Sequence, residues 1–432
     1  RSRGLGDVYK RQGRMIQQET CDVAVVGAGA AGLAAAAEIA KHPYRTVVLD
    51  REEQLGGILR QCIHNGFGLR YFREELTGPE YADRVVELAS KPNVAFRTGC
   101  TVTEIRRLPD SSFELMTLSA ADGVTFLKAR AVFLAMGCRE RNRGNLAIPG
   151  SRPAGVFTAG AAQKLLNTEG MLPGRSAVIV GSGDIGLIMA RRLRWSGVEV
   201  KAVIEIMPYP SGLTRNVVQC LNDFGIPLYL EHAVVNIAGR ERIQHVDVAP
   251  LDNGIPQLER QFRIGCDTVL FSVGLIPENE LSVRLGVELN PATGGAVVDA
   301  NLQTSVPGVF AGGNVLHVHD LVDFVSEESA EAGRSIVKYL AGELRSEENR
   351  AAVESNLKYV IPNRFNHGEK CTFSFRPLII SDAATLEAEL NGRPIWKRKF
   401  TYIKPAEMLK IDLSAEQLNE PGTLVFRLKE EA

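Results

Sequence analysis

The sequence predicts an α/β fold: two strand–turn–helix units of one kind, followed by a small β domain. The segments VAVVGAGAAGLAAAAEIA and SAVIVGSGDIGLIMARRL each run from an apolar strand through a glycine turn into a helix. From about Arg350 the sequence changes to short alternating runs of strand type. These patterns predict two Rossmann-like, three-layer ββα domains and a small antiparallel β domain at the C-terminus.

Composition and charge exclude several classes of protein. The 432 residues suffice for two or three domains, and a formal net charge of −1 gives no electrostatic case for nucleic acid or an anionic membrane. The seven cysteines are scattered and include no CxxC, which argues against a disulfide framework, a zinc site or an iron–sulfur cluster. We therefore expect a cytoplasmic protein with reduced thiols, no transmembrane segment and no metal.

The first residues do not match the fold that follows. RSRGLGDVYKRQ begins without Met and resembles a translated library adaptor, so we expect residues 1–14 to be a non-native leader and Met15 to be the natural start. The basic residues before VAVVGAGAAGLAAAA also suggest a signal peptide. Against this, Cys21 and Asp22 separate the basic from the apolar part, and a signal peptide has no use for the glycine spacing.

The first glycine segment has the spacing of a dinucleotide-binding turn. Gly27, Gly29 and Gly32 fit GxGxxG. The first glycine permits the tight turn, the second lets a pyrophosphate approach the backbone, and the third lets helix and strand pack closely. The helix N-terminus then offers unpaired N–H groups to phosphate. The next strand, TVVLD, ends in Asp50, where a carboxylate would bind a ribose.

The same arrangement returns later in the chain. Gly181, Gly183 and Gly186 form a second GxGxxG, and the strand VEVKAVIE ends in Glu205. One such motif is a weak signal, but two with acids at the right distance indicate two bound dinucleotides. Glu205 favours NAD(H) at the second turn, because a carboxylate there repels a 2′-phosphate and no arginine follows in EIMPYP.

Six further segments extend this pattern beyond the glycine turns. They are LGG, LTGPEYADRV, VAFRTGCTVTEI, AVFLAMGCRER, TVLFSVGLIPENE and TSVPGVFAGGN. With them the chain resembles, over roughly residues 21–340, the two-dinucleotide-domain FAD/NAD(P)-dependent oxidoreductases, the group that includes thioredoxin reductase. The resemblance implies that the first turn binds FAD, the second binds NAD(H), and the NAD domain is inserted in the FAD domain.

The residues expected to contact the dinucleotides are the two turns, the two acids and positions that the resemblance adds. They are Gly27, Gly29, Ala30, Ala31, Gly32, Asp50, Gly56, Gly57, Val102, Ala135, Gly137, Gly181, Gly183, Asp184, Ile185, Gly186, Glu205, Gly274, Gly313 and Asn314. Asn314 stands where this family usually has aspartate, and its amide both accepts and donates hydrogen bonds. By the same resemblance, the helix from about Leu321 to Leu340 would aim its N-terminus at the flavin pyrimidine edge.

The chain lacks the dithiol of the disulfide reductases that it resembles. Thr158, Ala159, Gly160 and Ala161 occupy the place of the CxxC of thioredoxin reductase. In the stretch after Gly57, ILRQC, there is one cysteine where glutathione-reductase-type enzymes have two. A dithiol–disulfide cycle needs a second thiol within reach, so we expect electrons to leave the flavin by another route.

A further resemblance suggests partner proteins. The segment GCRERNRGNLAIPGSRPAGVFTAGAAQKLLN resembles the α-type subunits of sarcosine oxidase, heteromeric amine and opine oxidases, and hydrogen cyanide synthase. It looks closest to uncharacterised FAD-dependent oxidoreductases that accompany a glycerol-3-phosphate-dehydrogenase-like protein and a small cysteine-rich protein. This resemblance implies a partner subunit of one of these kinds, which oxidises the substrate.

Three residues are candidates for catalysis, and each has a structural alternative. Cys62 and His64 form either a thiol–imidazole pair beside the flavin or a buried unreactive cysteine with a loop-capping histidine. His317 either handles a proton near flavin N1 or only positions the helix that follows. The spacing of His317 and His319, with Asp320 beside them, does not by itself indicate a metal site.

The sequence therefore predicts a FAD-binding domain from residues 15–150 and 276–345, an NAD(H)-binding domain from 151–275, and a small antiparallel β domain from 350–432. We expect hydride transfer between NAD(H) and flavin, with the flavin exchanging electrons with a partner or small acceptor. One alternative is an electron-handling α subunit of an amine or opine oxidase that is inactive without its partner. Another is a nucleotide-bound scaffold or redox sensor.

Overall fold

The computed structural model describes residues 18–431, so the predicted leader and Met15 lie outside the described residues. The chain forms two compact units. One consists of the residues up to Cys138 together with those from Pro277 onward, and the other is Arg139–Ile276. Within residues 18–431, no helix combines the length and the apolar character that crossing a bilayer requires.

The first part of the first unit is a sheet covered by helices. Its elements are β1 (Gln18–Val26), α1 (Ala30–Ile39), β2 (Thr46–Leu49), β3 (Asn65–Phe67), β4 (Leu76–Thr77), α2 (Gly78–Ala89), β5 (Val94–Arg97), β6 (Cys100–Arg107), β7 (Phe113–Ser119) and β8 (Gly123–Leu134). Strands β5, β2, β1 and β8 are parallel in that order, and β7 and β6 continue from β8 as an antiparallel meander. Helix α2 begins with a capping box between Thr77 and Glu80.

The second unit repeats the parallel architecture. Its elements, including the strand that enters it, are β9 (Cys138–Glu140), β10 (Val156–Thr158), α3 (Ala159–Asn167), β11 (Ser176–Val180), α4 (Asp184–Trp195), β12 (Glu199–Ile204), α5 (Thr214–Cys220), β13 (Leu228–Tyr229), β14 (His232–Gly239), β15 (Ile243–Asp252), β16 (Ile255–Pro256), β17 (Phe262–Gly265) and β18 (Thr268–Phe271). Strands β10, β18, β11, β12 and β13 form a parallel sheet. Strands β14, β15 and β17 form an antiparallel layer whose apolar residues share a core with it.

The chain then returns to the first unit. The elements of this part are β19 (Leu275–Pro277), α6 (Glu280–Arg284), β20 (Val309–Ala311) and α7 (Val322–Ala341). Strand β20 pairs in parallel with the end of β8 and so joins the first sheet. Helix α7 starts and ends within one residue of the predicted bounds, which confirms that prediction.

The C-terminal part of the first unit is a β-sandwich. Its strands are β21 (Asn349–Glu354), β22 (Leu357–Ile361), β23 (Arg364–Phe365), β24 (Cys371–Pro377), β25 (Ser381–Leu390), β26 (Arg393–Ile403), β27 (Leu409–Leu413) and β28 (Thr423–Glu430). They form two sheets, β23-β21-β28-β25-β26 and β22-β24-β27. The Phe426 ring of the first sheet lies 5.1 Å from Phe373 and 4.6 Å from Phe375 of the second, so the two sheets share a core.

Two details of the sandwich bear on the sequence analysis. Asn391 and Gly392 both have positive φ, 51° and 78°, and join β25 to β26, which confirms the predicted hairpin turn. The expectation of a purely antiparallel domain is wrong at one place, because β21 and β28 are parallel. These are the first and last strands of the sandwich and are not joined by a hairpin, so no short turn imposes an antiparallel direction on them.

Helix α1 packs very closely on α7, and this contact depends on Gly333. A Cβ atom at Gly333 would lie 2.6 Å from the carbonyl oxygen of Ala35 and 2.9 Å from Cβ of Glu38. The alanine-rich sequence of α1 leaves room for this approach, since small side chains let two helix backbones come together.

We expect Gly333→Leu to lower the thermal unfolding midpoint by several degrees, because overpacking at this contact costs about 1–3 kcal/mol. Lys338→Leu, an exposed position on the same helix, is the matched control and should leave the midpoint nearly unchanged. Equal midpoints for the two variants would contradict the close approach of α1 and α7.

Candidate dinucleotide-binding sites

At two of its three glycines, the first glycine turn packs so closely that a side chain would not fit. Gly27 has φ 108°, and a Cβ there would lie 2.3 Å from the carbonyl oxygen of Ala135. A Cβ at Gly32 would lie 1.8 Å from the carbonyl oxygen of Gly27. A Cβ at Gly29, by contrast, would meet no described atom within 4 Å. The middle glycine therefore faces open space, which is the approach that a pyrophosphate needs.

The acid at the end of β2 holds this turn in place. Asp50 accepts hydrogen bonds from the backbone N–H groups of Ala28 at 2.6 Å and Glu52 at 2.8 Å. Helix α1 begins directly after Gly29 without a side-chain cap, so its first N–H groups point to the turn. The turn and the helix end together form a site that suits phosphate.

The second glycine turn has a similar construction in its own unit, except that a Cβ at Gly183 would lie 3.3 Å from the Ser272 hydroxyl oxygen. Gly181 has φ 91°, and a Cβ there would lie 2.1 Å from the carbonyl oxygen of Ser272. A Cβ at Gly186 would lie 3.0 Å from the carbonyl oxygen of Gly181. Helix α4 begins after Gly183, again without a side-chain cap hydrogen bond. Both predicted GxGxxG segments therefore form tight turns from a strand into a helix.

Glu205 occupies in the second unit the position that Asp50 occupies in the first, but its side chain is more deeply buried. Its Oε2 accepts from the Ser182 N–H at 2.9 Å, from the Ser182 hydroxyl at 2.5 Å and from the Ser211 hydroxyl at 2.8 Å. Its Oε1 accepts from the Met207 N–H at 3.0 Å. Glu205 is 3% exposed. Both acids thus bind the N–H of the residue between the first two glycines, but the segment around Ser211 covers Glu205.

That covering segment is tied to the turn at two further points. The Ser211 N–H donates to the Ser182 hydroxyl at 2.8 Å, and the Leu213 N–H donates to Asp184 at 2.8 Å. Asn216 also donates to Asp184, at 2.7 Å. Sequence reasoning named Asp184 and Glu205 but not Ser211, which no local motif indicates.

Other residues predicted to contact the cofactor lie around the first turn. Gly56 donates its N–H to the carbonyl oxygen of Ala28 at 2.8 Å. A Cβ at Gly57 would lie 3.1 Å from Cα of Gly29. Strand β6 begins beside Asp50, since the Cys100 N–H donates to the Asp50 carbonyl oxygen at 2.8 Å.

Two predicted residues lie on β6 and at the end of β8. Val102 is two residues beyond the point where β6 meets Asp50, and it is half-buried. Gly137 follows β8 with φ 72°. In the second unit, Gly274 has φ 95° and accepts a hydrogen bond from the Arg141 N–H at 3.0 Å. A positive φ favours glycine at both Gly137 and Gly274.

The segment around Gly313 and Asn314 lies near the N-terminus of α1. A Cβ at Gly313 would lie 2.8 Å from Cβ of Ala31, near the start of α1. The Asn314 side chain accepts from the His319 N–H at 3.0 Å and donates to the Cys138 sulfur at 3.6 Å. The fold therefore brings the first turn, Gly57 and Gly313 to one end of the sheet.

A buried polar cluster lies directly behind this segment. Nε2 of His317 is 2.8 Å and Nε2 of His319 is 3.3 Å from the same oxygen, Oε2 of Glu328. The other oxygen of Glu328 accepts the Gly313 N–H at 2.8 Å. Nδ1 of His317 lies 3.3 Å from the Tyr359 hydroxyl. Sequence reasoning missed Glu328, because only the folding of α7 against the loop brings it to the histidines.

Burial and charge set the protonation of this cluster. Burial, reinforced by the charge of His319, lowers the pKa of His317. Burial alone would raise the pKa of Glu328, but the neighbouring imidazoles outweigh it and hold the pKa well below its usual range. Glu328 is therefore ionised within the cluster.

The sandwich supports the loop that carries the histidines. Arg376 of β24 forms an ion pair with Asp320 at 2.7 Å and donates to the carbonyl oxygen of Val318 at 2.9 Å. The Met408 N–H donates to Asp320 at 2.6 Å. The C-terminal sandwich thus contacts the loop next to Asn314.

The start of α7 holds another loop. Asp323 accepts hydrogen bonds from the backbone N–H groups of Gly68 at 3.2 Å, Arg70 at 3.0 Å and Tyr71 at 2.7 Å. The helix has no side-chain cap hydrogen bond at Leu321. A carboxylate in the first turn of a helix is favourable, and here it also fixes the chain after the Cys62 segment.

The surroundings of Cys62 and His64 do not favour a reactive thiolate. The Cys62 thiol donates to the carbonyl oxygen of Ile58 at 3.3 Å, and burial raises its pKa to about 12. The His64 ring packs edge-on against Phe67, with centroids 4.9 Å apart. All seven cysteines lie within residues 18–431, and none of them forms a disulfide.

Comparisons with known proteins agree with this geometry. Residues 21–334 match the family described as pyridine nucleotide-disulphide oxidoreductase. The chain is 27% identical to the HcnB component of hydrogen cyanide synthase from Pseudomonas protegens over 67% of its own length and 65% of that protein. It is 28% identical to an opine oxidase subunit of Agrobacterium tumefaciens over 68% of its own length and 61% of that protein. The chain thus spans just under two thirds of each relative.

Thioredoxin reductase of T. acidophilum shares the fold, with a TM-score of 0.61 and 24% identity over 75% of this chain and 99% of that one. The fold and the two glycine turns define a FAD- and pyridine-nucleotide-binding oxidoreductase. The chain belongs to the pyridine nucleotide-disulphide oxidoreductase family. The predicted family, fold class, and cofactor classes, FAD and a pyridine nucleotide, are therefore confirmed.

We expect Asp323→Ala to release the loop at Gly68–Tyr71, because three backbone N–H groups lose a charged acceptor. Trypsin should then cut after Arg70 and Arg73 several times faster than in the parent chain, with fragments identified by mass spectrometry. Glu331→Ala, an exposed change on the same helix, is the control. Equal cleavage rates in the two variants would contradict the anchoring role.

Cys62 should resist alkylation up to about pH 9, because a thiol of pKa about 12 is almost entirely protonated there. The rate of iodoacetamide labelling, mapped to Cys62 by mass spectrometry, should rise only in strongly alkaline solution. The urea-unfolded chain gives the reference rate for an ordinary thiol. Labelling of the folded chain at pH 7 at this reference rate would contradict the assignment of Cys62 as unreactive.

Proposed function

We propose that this chain transfers hydride between NAD(H) and FAD, and that the flavin exchanges electrons with a partner subunit or small acceptor. The observation that carries the proposal is the repetition of one turn geometry in two separate units, at Gly27–Gly32 and Gly181–Gly186. Each unit has its own strand-end acid and its own helix that begins after a glycine with no side-chain cap. Two such sites in one chain suit two dinucleotides.

The residues of the first unit fit FAD. The open side of Gly29 and the start of α1 would bind the pyrophosphate, and Asp50 would accept from the ribose. Gly313 and Asn314 lie at the same helix end and would bind the remaining part of the cofactor. FAD, when bound, supplies the hydride-accepting ring, while these residues bind and orient it.

The second unit would bind the nicotinamide nucleotide. Gly183 and the start of α4 would bind its pyrophosphate, and Glu205 would accept from the adenosine ribose. Because Ser211 bonds to Glu205, the ribose must displace that hydroxyl or share the carboxylate with it. The negative charge of Glu205 disfavours a 2′-phosphate, so we expect NADH to be preferred over NADPH.

Electrons then leave the flavin without a dithiol of this chain. Thr158 caps α3 by accepting from the Ala161 N–H at 3.4 Å, in the place where thioredoxin reductase has its cysteine pair. The elevated pKa of Cys62 also argues against a thiol relay. The two curated relatives are named as subunits of larger enzymes, which supports a partner protein as the acceptor.

The same names favour a second candidate function. If this chain is the electron-handling component of a heteromeric amine or opine oxidase, it binds both nucleotides but turns over only with its partner. A nucleotide-bound scaffold or redox sensor would bind both nucleotides and leave the flavin oxidised. Anaerobic mixing of the flavin-loaded chain with NADH separates these functions.

We expect NADH to bleach the flavin absorbance at catalytic rates, and NADPH to do so at least 10-fold more slowly. Glu205→Gln should reduce this preference by about 10-fold, equivalent to about 1.4 kcal/mol, because it removes the charge but keeps one acceptor oxygen for the serines. Glu199→Gln, an exposed change on the same strand, is the control. A parent chain that prefers NADPH would contradict the role given to Glu205, and bound flavin that stays oxidised would contradict the reductase.

A further inference from the structure

The cluster of His317, His319 and Glu328 has the composition of a metal site. Two imidazole nitrogens and one carboxylate oxygen lie within 4.8 Å of one another. We propose that these three residues bind a first-row divalent transition metal ion, such as Zn²⁺ or Fe²⁺. Two histidines and one carboxylate are a ligand set that such ions use when they keep further coordination positions open.

The distances between the ligand atoms suit one ion. Bonds of about 2.0–2.2 Å to nitrogen and oxygen place neighbouring ligands of a tetrahedral or octahedral site about 3–3.5 Å apart. Here the carboxylate oxygen of Glu328 lies 2.8 Å from Nε2 of His317 and 3.3 Å from Nε2 of His319. Small side-chain adjustments would therefore let the three atoms bind a common ion.

The ligands are oriented by outer hydrogen bonds. The oxygen of Glu328 that faces away from the histidines accepts the Gly313 N–H at 2.8 Å, so the other oxygen remains available for an ion. Nδ1 of His317 lies 3.3 Å from the Tyr359 hydroxyl, which leaves Nε2 as the ligating nitrogen. Metal-binding imidazoles usually make such a second contact, which fixes both ring and tautomer.

In His319, Nε2 faces Glu328 and would be the ligating nitrogen, so the other ring nitrogen, Nδ1, is the one that would make the outer contact. Nδ1 of His319 is buried and has no hydrogen-bond partner among the described residues, and the side chain is 2% exposed. Buried polar atoms are rarely left without a partner, so this nitrogen indicates that a water molecule or another group belongs beside it.

Some of the residues that contact the proposed ligands come from the C-terminal sandwich. Tyr359 lies on β22, and Arg376 on β24 interacts with both Tyr359 and Asp320. Metal binding would therefore connect the loop after Asn314 to α7 and to the sandwich. This assignment also differs from the expectation, drawn from the spacing of the histidines alone, that the chain binds no metal.

The direct test is the metal content of the purified, tag-free full chain, measured by inductively coupled plasma mass spectrometry. We expect close to one zinc or iron ion per chain. His319→Ala and Glu328→Gln should each lower the metal content at least 10-fold. Tyr359→Phe should weaken the metal affinity about 10-fold, because it removes the hydroxyl that contacts Nδ1 of His317. His367→Ala is the matched control, because His367 contacts Glu347 at 2.8 Å on the surface and has no second imidazole in that pair.

Titration with Co²⁺ of the chain from which a chelator has removed metal provides a second readout that does not depend on activity. Binding at the proposed site should give one equivalent of visible d–d absorption in the parent and in His367→Ala, and none in Glu328→Gln. Circular dichroism identifies any variant that fails to fold. No stoichiometric metal and no cobalt spectrum in the folded parent would overturn the proposal. Flavin reduction by NADH is scored separately, so either proposal can fail without the other.

Discussion

The structure depends on one hydrogen bond that occurs twice: the strand-end carboxylate accepts the N–H of the residue between the first two glycines. Asp50 makes this bond to Ala28 and Glu205 makes it to Ser182. In both turns the first glycine packs against a carbonyl of the neighbouring strand end, so a side chain cannot fit there. The result is a rigid turn whose N–H groups face outward, and phosphate binding requires that arrangement.

The two copies differ in how accessible the acid is. Asp50 accepts hydrogen bonds from two backbone N–H groups. Glu205 also accepts from the hydroxyls of Ser182 and Ser211, and the segment around Ser211 covers it. A carboxylate with these bonds is expensive to desolvate unless all its acceptor positions are used. A ribose that binds Glu205, as proposed, would therefore exchange one set of hydrogen bonds for another, whereas one that binds Asp50 would need no such exchange.

Much of the fold was predictable from the sequence because short-range patterns determine it. The glycine spacings and the turn at Asn391–Gly392 follow from backbone conformation, while the bounds of α7 follow from the family resemblance. The cluster around Glu328 was not predictable, since His317 and Glu328 lie on different elements and meet only through packing. The parallel pair β21–β28 also rests on contacts between distant segments, and so do the hydrogen bonds that hold Ser211 to Ser182 and Leu213 to Asp184.

The proposed function requires that this chain hold two different dinucleotides at once. Native mass spectrometry of the purified chain incubated with FAD and NAD⁺ tests this requirement most directly. We expect a species carrying one FAD and one NAD⁺ together, with neither displacing the other as its concentration rises. A colourless chain that takes up no FAD, or two nucleotides that compete for one position, would contradict two separate sites.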